Sequence, residues 1–410
     1  MERNIPALTP SPSAASGGLQ GRHGLAILWS RFGPYHLARL RGAAAMAAPH
    51  GVAVVGVEVA SRDQDYAWAH APGADGFERR TLFPAADYHA LAAGEIASAV
   101  TAALDAVDPA VVAINGWSVP EARAAAAWCR RRGRRAVLMS ESKADDHERP
   151  WWKELVKRAL LRRFDAALVG GRPHADYLMS LGFAHSRIRC GYDVVDNAYF
   201  EEKACAARTE AEQLRRRLGL PDTYFLACTR FLARKNVDGL LRAYSLYRER
   251  AKGRAWGLVV IGSGEEERNL RALAGALGLH DVPWPGFVQY DLLPAYFGLA
   301  GALVHAAKSE AWGLVVNEAA ASGLPLLVAR TVGARYELVR HGENGLLFDP
   351  ADREAMAAAL AAIAAMPQAR RLAMGQASQR IVADWTPGRF GHELIAAAGL
   401  AAAEEGRHAA

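Results

Sequence analysis

The sequence contains few cysteines, and none of them are paired. Cys129, Cys190, Cys205 and Cys228 are the four in 410 residues, and no two of them form a Cys-x-x-Cys motif. This spacing argues against a disulfide framework and against a zinc site. A reducing, cytoplasmic compartment is therefore predicted.

Long apolar runs are also lacking. The alanine-rich stretches are interrupted by Arg, Glu, Gly and Pro before they reach the ~20 residues needed to cross a bilayer. The protein is expected to be soluble or peripheral. Residues 1–21 are rich in Pro, Ser and Gly, without the apolar core of a signal peptide, and are interpreted as a flexible tail.

Signatures of nucleic-acid binding are missing as well. The net charge of +6 is compatible with nucleic acid, an anionic membrane or phosphorylated substrates. However, the arginines are scattered through alanine-rich segments without interleaved aromatics, and no zinc-finger, RRM or helix-turn-helix pattern occurs. Nucleic acid is therefore not an expected partner.

The chain does contain two series of short apolar runs that alternate with helical stretches. The first series is LAILWS, GVAVVGVEVA, AVVAINGW, RAVLMSES and DAALVGG, and the second is YFLACTR, WGLVVIGSG, ALVHAA and PLLVAR. This alternation predicts α/β structure with parallel sheets. The length and 51% hydrophobic content favour two domains, at about 22–200 and 201–386. Ligands of such sheets gather beyond the carboxyl ends of the strands, so a cleft between the domains is expected.

A pair of cations follows the first strand of the second series. Arg230 and Lys235 lie in the segment RFLARKN, before a helix predicted to begin near Val237. Two cations beside a helix N-terminus make an anion site, and a diphosphate is the natural guest. Solvated surface cations are the alternative.

Two glycines follow the next strand. Gly262 and Gly264 lie in a strand-to-helix turn, where a missing Cβ permits unusual φ and close approach of a ligand. An ordinary tight turn explains them equally well. The full G-x-G-x-x-G spacing is not present, so no dinucleotide cofactor is expected.

Two glutamates stand seven residues apart in SEAWGLVVNEAAASGLP. Glu310 is predicted on a loop and Glu318 about one turn inside a helix that starts near Gly313 or Leu314. Glu310 is suited to accept hydrogen bonds from sugar hydroxyls and Glu318 to bind a ribose diol, while free N–H groups at Gly313, Leu314 and Val315 meet phosphate. A dipole-stabilised acid and a structural ion pair are the alternatives.

The order of these motifs is similar to that of a known family. RFLARKN, IGSGEE, SEAWGLVVNEAAASGLP and GENGLLFDP, which together cover roughly residues 224–350, resemble the donor-binding half of family-4 retaining glycosyltransferases. The resemblance implies a GT-B fold with two Rossmann-like domains. It implies that Arg230 and Lys235 hold the donor diphosphate, that Glu310 contacts the transferred sugar and that Glu318 binds the ribose.

The same resemblance extends to the base site and the last helix. It implies that the backbone around Gly286, Phe287 and Val288 lies beside the nucleobase. It also implies that a helix at about 387–403 crosses back to complete the first domain.

The N-terminal half resembles the family less specifically. In SRFGPYHLARL, Gly33 resembles the family's first glycine loop, and Tyr35 and His36 are candidate cleft residues, although a histidine at a helix start is more often structural. Asn115 is a further candidate contact to sugar or acceptor. Glu141 stands where many relatives have a histidine, with His147 several residues later, and is either a sugar or acceptor contact or an ordinary loop residue.

These observations predict a retaining glycosyltransferase that moves a sugar, most simply a hexose, from a nucleoside-diphosphate donor to an acceptor hydroxyl. UDP is favoured over GDP, and neither a metal nor a cofactor is expected. The alternatives are a GT-B-like sugar-nucleotide epimerase or hydrolase, and a non-catalytic sugar-nucleotide-binding protein.

The segment WWKELVKRALLRRF bears on the unknown acceptor. Two tryptophans and five cations are typical of an amphipathic helix on an anionic membrane that receives a lipid-linked acceptor. The favoured interpretation is instead a core stripe made of Leu155, Val156, Ala159 and Leu160, with solvated cations opposite.

Overall fold

The structure is a computed structural model that describes residues 24–62, 68, 76–146 and 150–400. The predicted tail at 1–21 and His147 lie outside the described residues. Two parallel sheets are present in the described part of the chain, one in each half, which confirms the predicted α/β class.

The N-terminal sheet has seven strands in the order β3-β2-β1-β4-β5-β6-β7. The strands are β1 Gly24–Trp29, β2 Ala53–Arg62, β3 Glu78–Asp87, β4 Val111–Asn115, β5 Arg135–Ser140, β6 Ala166–Val169 and β7 Ile188–Cys190. The helices are α1 Pro34–Ala47, α2 Ala93–Val107, α3 Pro120–Arg132, α4 Trp151–Leu161 and α5 Arg172–Ser180.

The C-terminal sheet has five strands in the order β12-β11-β10-β8-β9. Two helices, α6 Asn197–Thr209 and α7 Ala211–Leu218, precede it. The strands are β8 Tyr224–Cys228, β9 Gly257–Ile261, β10 Ala302–His305, β11 Leu326–Ala329 and β12 Gly345–Phe348. The remaining helices are α8 Val237–Ala251, α9 Glu267–Ala276, α10 Leu293–Leu299, α11 Leu314–Ala321, α12 Arg335–Leu338, α13 Arg353–Ala365, α14 Gln368–Val382 and α15 Pro387–Ala398.

The central strands are apolar on both faces. In β1, Leu25 and Ile27 belong to one hydrophobic cluster, and Ala26 and Leu28 belong to the cluster on the other face. Side chains of a strand alternate between faces, so helices on both sides explain the uninterrupted apolar run. This is why the central strands could be recognised in the sequence.

The last helix, α15, returns to the N-terminal domain and packs along α1. The two helices touch at glycines: a Cβ on Gly42 would lie 1.9 Å from the carbonyl oxygen of Pro387, and one on Gly391 would lie 2.3 Å from that of Gly42. The guanidinium of Arg135 also donates to the carbonyl oxygen of Ala397 at 3.0 Å. A segment far along the chain thus closes the first domain.

The structure corrects one sequence interpretation in α4. Leu155 and Val156 are 52% and 53% exposed, and Ala159 is exposed as well, so the predicted core stripe of Leu155, Val156, Ala159 and Leu160 is wrong for its first three members. Leu160 is half-buried and packs against the core. Only Leu161 of this helix is fully buried. None of the described helices is long and apolar enough to cross a membrane.

Candidate functional site

The loops that follow the strands of the two sheets meet each other. Ser309 Oγ, after β10, donates to the carbonyl oxygen of Asp146, after β5, at 3.0 Å. His174, at the start of α5, accepts from the Gly171 N–H at Nδ1 (3.1 Å), so its Nε2 donates to the carbonyl oxygen of Ala311 at 2.9 Å. The carboxyl ends of both sheets therefore border one interdomain cleft.

The predicted cation loop runs from β8 to α8, which begins at Val237 as expected. Lys235 ends a 3-10 turn at Ala233–Lys235, and its Nζ contacts Oε2 of Glu310. Arg234 Nη1 lies 3.8 Å from Oε1 of the same carboxylate. Arg230 is half-buried at the start of the loop. The structure thus brings Arg230, Lys235 and Glu310 to one place at the end of the sheet.

The pKa values of Lys235 and Glu310 are both lowered in this cluster. Burial lowers the pKa of Lys235; the Glu310 carboxylate opposes this, and Arg234 and Arg230 lower it further. Burial alone would raise the pKa of Glu310, but the hydrogen bond from His305, at 3.2 Å, and the charge of Lys235 hold it well below its usual range. The Glu310 carboxylate thus lies against two cations, Lys235 and Arg234, and such a basic cluster suits an anion.

Asn236 holds this loop in place. It is buried, adopts φ of 59° and donates from Nδ2 to the carbonyl oxygens of Ala306 at 3.0 Å and Pro350 at 2.9 Å. The loop after β8 is therefore tied to the ends of β10 and β12. The charged groups of the loop are thus held in position before a ligand binds, so binding does not require them to rearrange.

Gly262 and Gly264 pack against the same loop. A Cβ on Gly262 would lie 1.8 Å from the carbonyl oxygen of Thr229, and one on Gly264 would lie 2.5 Å from that of Phe231. Their φ angles are 142° and 155°. Close packing of two backbones explains both glycines, and it places them behind the cation loop.

Helix α11 begins at Leu314 with Gly313 as its N-cap, as the sequence indicated. Gly313 adopts φ of 96°, and a Cβ there would press on Glu310 and Val332. Leu314 and Val315 are half-buried in the first turn. The free N–H groups of this turn lie at the carboxyl end of β10, beside Glu310.

Glu318, one turn further along α11, is 2% exposed and accepts a hydrogen bond from the Tyr35 hydroxyl of α1. Burial raises the pKa of Glu318 to about 7, although the Tyr35 hydrogen bond acts to lower it. Tyr35 thus occupies a donor position at the carboxylate that was predicted to bind ribose. This contact joins the two domains.

Aromatic rings line the cleft next to this pair. The ring of Trp68 lies 4.9 Å from that of Phe287 and 6.1 Å from that of Tyr35. Val288 is buried, whereas Phe287 is 36% exposed. The segment predicted to flank a nucleobase therefore faces a tryptophan from the first domain.

His36 has a structural task in α1. Its Nδ1 accepts from the Gly33 N–H at 3.0 Å, where Gly33 is the N-cap. Burial, followed by the charges of Arg39 and Arg31, lowers the pKa of His36 to about 3. The ring is therefore neutral, and it fixes the first glycine loop at the cleft.

The other N-terminal candidates lie at strand ends. Asn115 ends β4 and accepts from the Tyr192 hydroxyl at 3.3 Å. Glu141 follows β5 and is exposed. Close to it, Asp193 is fully buried and accepts from Arg39 Nη2 at 3.3 Å; burial and the charge of Glu141 raise the pKa of Asp193 well above its usual value.

Sequence reasoning missed several of these residues. His305, Asn236, Asp193 and Trp68 were not identified as candidates. His305 ends the strand before a recognised motif, and Asn236 is the last residue of the motif RFLARKN, so their position at a strand end and a helix start was a usable signal. Asp193 and Trp68 lie outside any recognised motif. Among the described residues, no group of three or more His, Cys, Asp or Glu side chains is arranged to hold a metal ion.

Two facing α/β domains with a charged interdomain cleft define a GT-B protein, which confirms the fold expected from the motifs. Residues 210–380 match the family described as group 1 glycosyl transferases. The predicted resemblance to glycosyltransferases is therefore confirmed for this segment.

Curated relatives agree with this assignment. The chain is 30% identical over 254 residues to a GDP-mannose-dependent alpha-(1-6)-phosphatidylinositol monomannoside mannosyltransferase of Mycobacterium tuberculosis, covering 58% of this chain and 64% of the relative. It is 36% identical over 202 residues to D-inositol 3-phosphate glycosyltransferase of Thermomonospora curvata, covering 47% of each. The matches thus span less than two thirds of these relatives.

Solved structures share the fold. Sucrose-phosphate synthase from Thermosynechococcus elongatus superposes with a TM-score of 0.71 at 20% identity, over 91% of this chain and 97% of that one. HepE of Anabaena, solved in complex with UDP-glucose, superposes with a TM-score of 0.66 at 16% identity, over 91% of this chain and 99% of that one.

Proposed function

We propose that this protein is a retaining glycosyltransferase that moves a sugar from a nucleoside-diphosphate donor to an acceptor hydroxyl. The observation that carries the proposal is the convergence of Arg230, Lys235 and Glu310 beside the N-terminus of α11. Cations and free N–H groups in one place suit a diphosphate, and a single buried carboxylate next to them suits a sugar hydroxyl.

Departure of the nucleoside diphosphate develops negative charge on its β-phosphate. Lys235, Arg230 and the first turn of α11 stabilise that charge in a site shielded from water, without a requirement for a metal ion. In the ligand-free arrangement Lys235 is paired with Glu310. When the donor phosphate binds Lys235 in place of Glu310, the Glu310 carboxylate becomes available to orient the sugar.

Glu318 binds the ribose in this proposal. Its buried carboxylate already accepts from the Tyr35 hydroxyl, so a ribose hydroxyl can replace that donor. Relatives at 30% identity are named for GDP-mannose, whereas HepE at 16% identity was solved with UDP-glucose. Both UDP and GDP therefore belong in the test, although UDP was the nucleotide favoured from the sequence.

Calorimetry with UDP, GDP and ADP in the presence of EDTA tests the donor site. One of the three is expected to bind the wild type, and Lys235→Ala should weaken it, while Lys203→Ala, at an exposed lysine on α6, should not. Absence of binding by all three nucleotides in chelator would refute the proposed site.

A sugar-nucleotide epimerase or hydrolase is a second candidate, favoured by the pair Glu141 and Asp193. Burial, and after it the charge of the neighbouring Glu141, raises the pKa of Asp193. Two neighbouring carboxyl groups can act as acid and base on one sugar ring. NMR of the donor incubated without acceptor distinguishes the two: release of free sugar or a change at its ring supports the second candidate, and acceptor-dependent product supports transfer.

A further inference from the structure

Helix α4 is attached to the protein by the side that carries Glu154 and Lys157 and by its last two leucines. Lys157 Nζ lies 2.8 Å from Glu154 Oε1 and 2.7 Å from the Tyr177 hydroxyl of α5. Glu154 also accepts from that hydroxyl at 3.0 Å. Leu161, which is 3% exposed, and Leu160, which is half-buried against the core of the first domain, complete the attachment. Most of the apolar side chains of α4 are not part of it.

The opposite side of α4 is apolar and exposed. Trp151 is 75% exposed, Trp152 is 51%, and Leu155 and Val156 are 52% and 53%. With Ala159, which is also exposed, these side chains cover an arc of about 140° at 3.6 residues per turn. Four large apolar side chains in one continuous face exceed the scattered exposure that is normal for a surface.

Cations border this apolar face. Lys153 lies at one edge, and Arg162 and Arg163, which are both exposed, follow the end of the helix. Arg158, at the other edge, donates to the carbonyl oxygen of Ser180 at 3.1 Å. Lys153 Nζ lies 5.4 Å from the centre of the Trp152 ring. The one acidic residue of α4 is Glu154, which faces Tyr177. The exposed side is therefore basic as well as apolar.

We propose that α4 docks this protein on an anionic lipid bilayer. Tryptophan suits the boundary between lipid headgroups and chains, leucine and valine insert below it, and arginine and lysine contact anionic headgroups. The helix has 11 residues, too few to cross a bilayer, so it lies in the plane of the interface. The cations around the apolar face favour anionic lipid as the partner, because an apolar protein surface would not need cations opposite it.

The position of α4 links the membrane to the cleft. The segment before it, 141–146, follows β5 at the cleft, and its Asp146 is bonded to Ser309, next to Glu310. Docking by α4 therefore brings the cleft close to the bilayer surface. An acceptor carried by a lipid is then within reach, an extension that depends on the proposed transferase activity, whereas docking itself does not.

Cosedimentation with vesicles tests the docking. The full chain is mixed with vesicles of phosphatidylcholine alone, or of phosphatidylcholine and phosphatidylglycerol in equal parts, without any sugar nucleotide. Binding is expected to the anionic vesicles, to weaken as salt increases, and to be much weaker with the neutral ones.

Matched variants distinguish binding through the exposed face of α4 from non-specific adsorption of the protein to vesicles. Leu155→Ser should weaken binding about tenfold, while Leu372→Ser, at a leucine on α14 that is 59% exposed, should leave it unchanged. Arg162→Glu/Arg163→Glu should weaken binding by about tenfold or more. Arg216→Glu/Arg217→Glu, an exposed arginine pair at the end of α7 with the same change in charge, should have much less effect.

Two results would overturn the proposal. One is equal binding to neutral and anionic vesicles, or none to either. The other is a dimer in light scattering that Leu155→Ser converts to monomer, since the apolar face would then be covered by a second copy. Because no donor is present, failure of this test leaves the nucleotide-binding test of the transferase proposal unaffected.

Discussion

Replacing Glu318 by Gln should make the protein more stable at pH 8 but not at pH 5. Burial raises the pKa of Glu318 from 4.5 to about 7. The folded state thus binds more protons than the unfolded chain over this range, so stability is greatest below pH 4.5 and declines as pH rises through about 7. The difference in pKa corresponds to about 3 kcal/mol.

The net gain in the variant should be smaller than this figure. Glutamine retains an oxygen for the Tyr35 hydroxyl but loses the charged acceptor, which offsets part of the gain, so about 2 kcal/mol is expected at pH 8. Glu310 does not interfere in this window. Its pKa is lowered in the folded state, so its contribution is lost only when pH falls below the usual range of a carboxylate.

Urea unfolding followed by tryptophan fluorescence provides the assay, with the midpoints of wild type and variant compared at intervals from pH 5 to pH 8. The contributions of other titrating groups to stability, including that of Asp193, are the same in both proteins and cancel in the comparison. Tyr35→Phe removes the donor that stabilises the carboxylate and should lower the midpoint most at high pH. A difference between wild type and Glu318→Gln that does not vary with pH would refute the reasoning.

Three further predictions concern the site and the fold. Lys235→Ala should slow sugar transfer without unfolding the protein, because the transition state would lose roughly 2 to 4 kcal/mol of stabilisation. A wild-type rate in a folded variant would contradict this role. The Glu310→Gln variant should bind nucleotide nearly as the wild type does yet transfer sugar poorly, whereas the Glu318→Gln variant should bind nucleotide more weakly by about 1.5 to 3 kcal/mol. Calorimetry and a transfer assay would show the contrast. Identical behaviour of the two variants would reject the separate roles. Gly42→Val should destabilise the protein by about 3 kcal/mol or detach α15, because its side chain would meet the backbone of Pro387; an unchanged melting temperature together with unchanged resistance of α15 to protease would contradict the packing.

The sequence determined those parts of the protein that local patterns encode. Strands such as β1 and β8 were recognisable because parallel strands covered on both faces are continuous apolar runs. The starts of α8 and α11 followed from the motifs beside them and lie at Val237 and Leu314. Strands β3, β7 and β12 were not predicted, and all three are edge strands of their sheets. β3 is polar, β7 has only three residues, and β12 is only partly buried, so none is a continuous buried apolar run.

Only the tertiary structure decided which side chains meet. The Lys235–Glu310 and Tyr35–Glu318 contacts join residues 75 and 283 positions apart, and no local pattern encodes such distances. The same holds for α4, whose sequence fits either a core stripe or an exposed face. In the structure, Glu154 and Lys157 of α4 meet the Tyr177 hydroxyl of α5, and a contact between two separate helices is not encoded in the local pattern of either one.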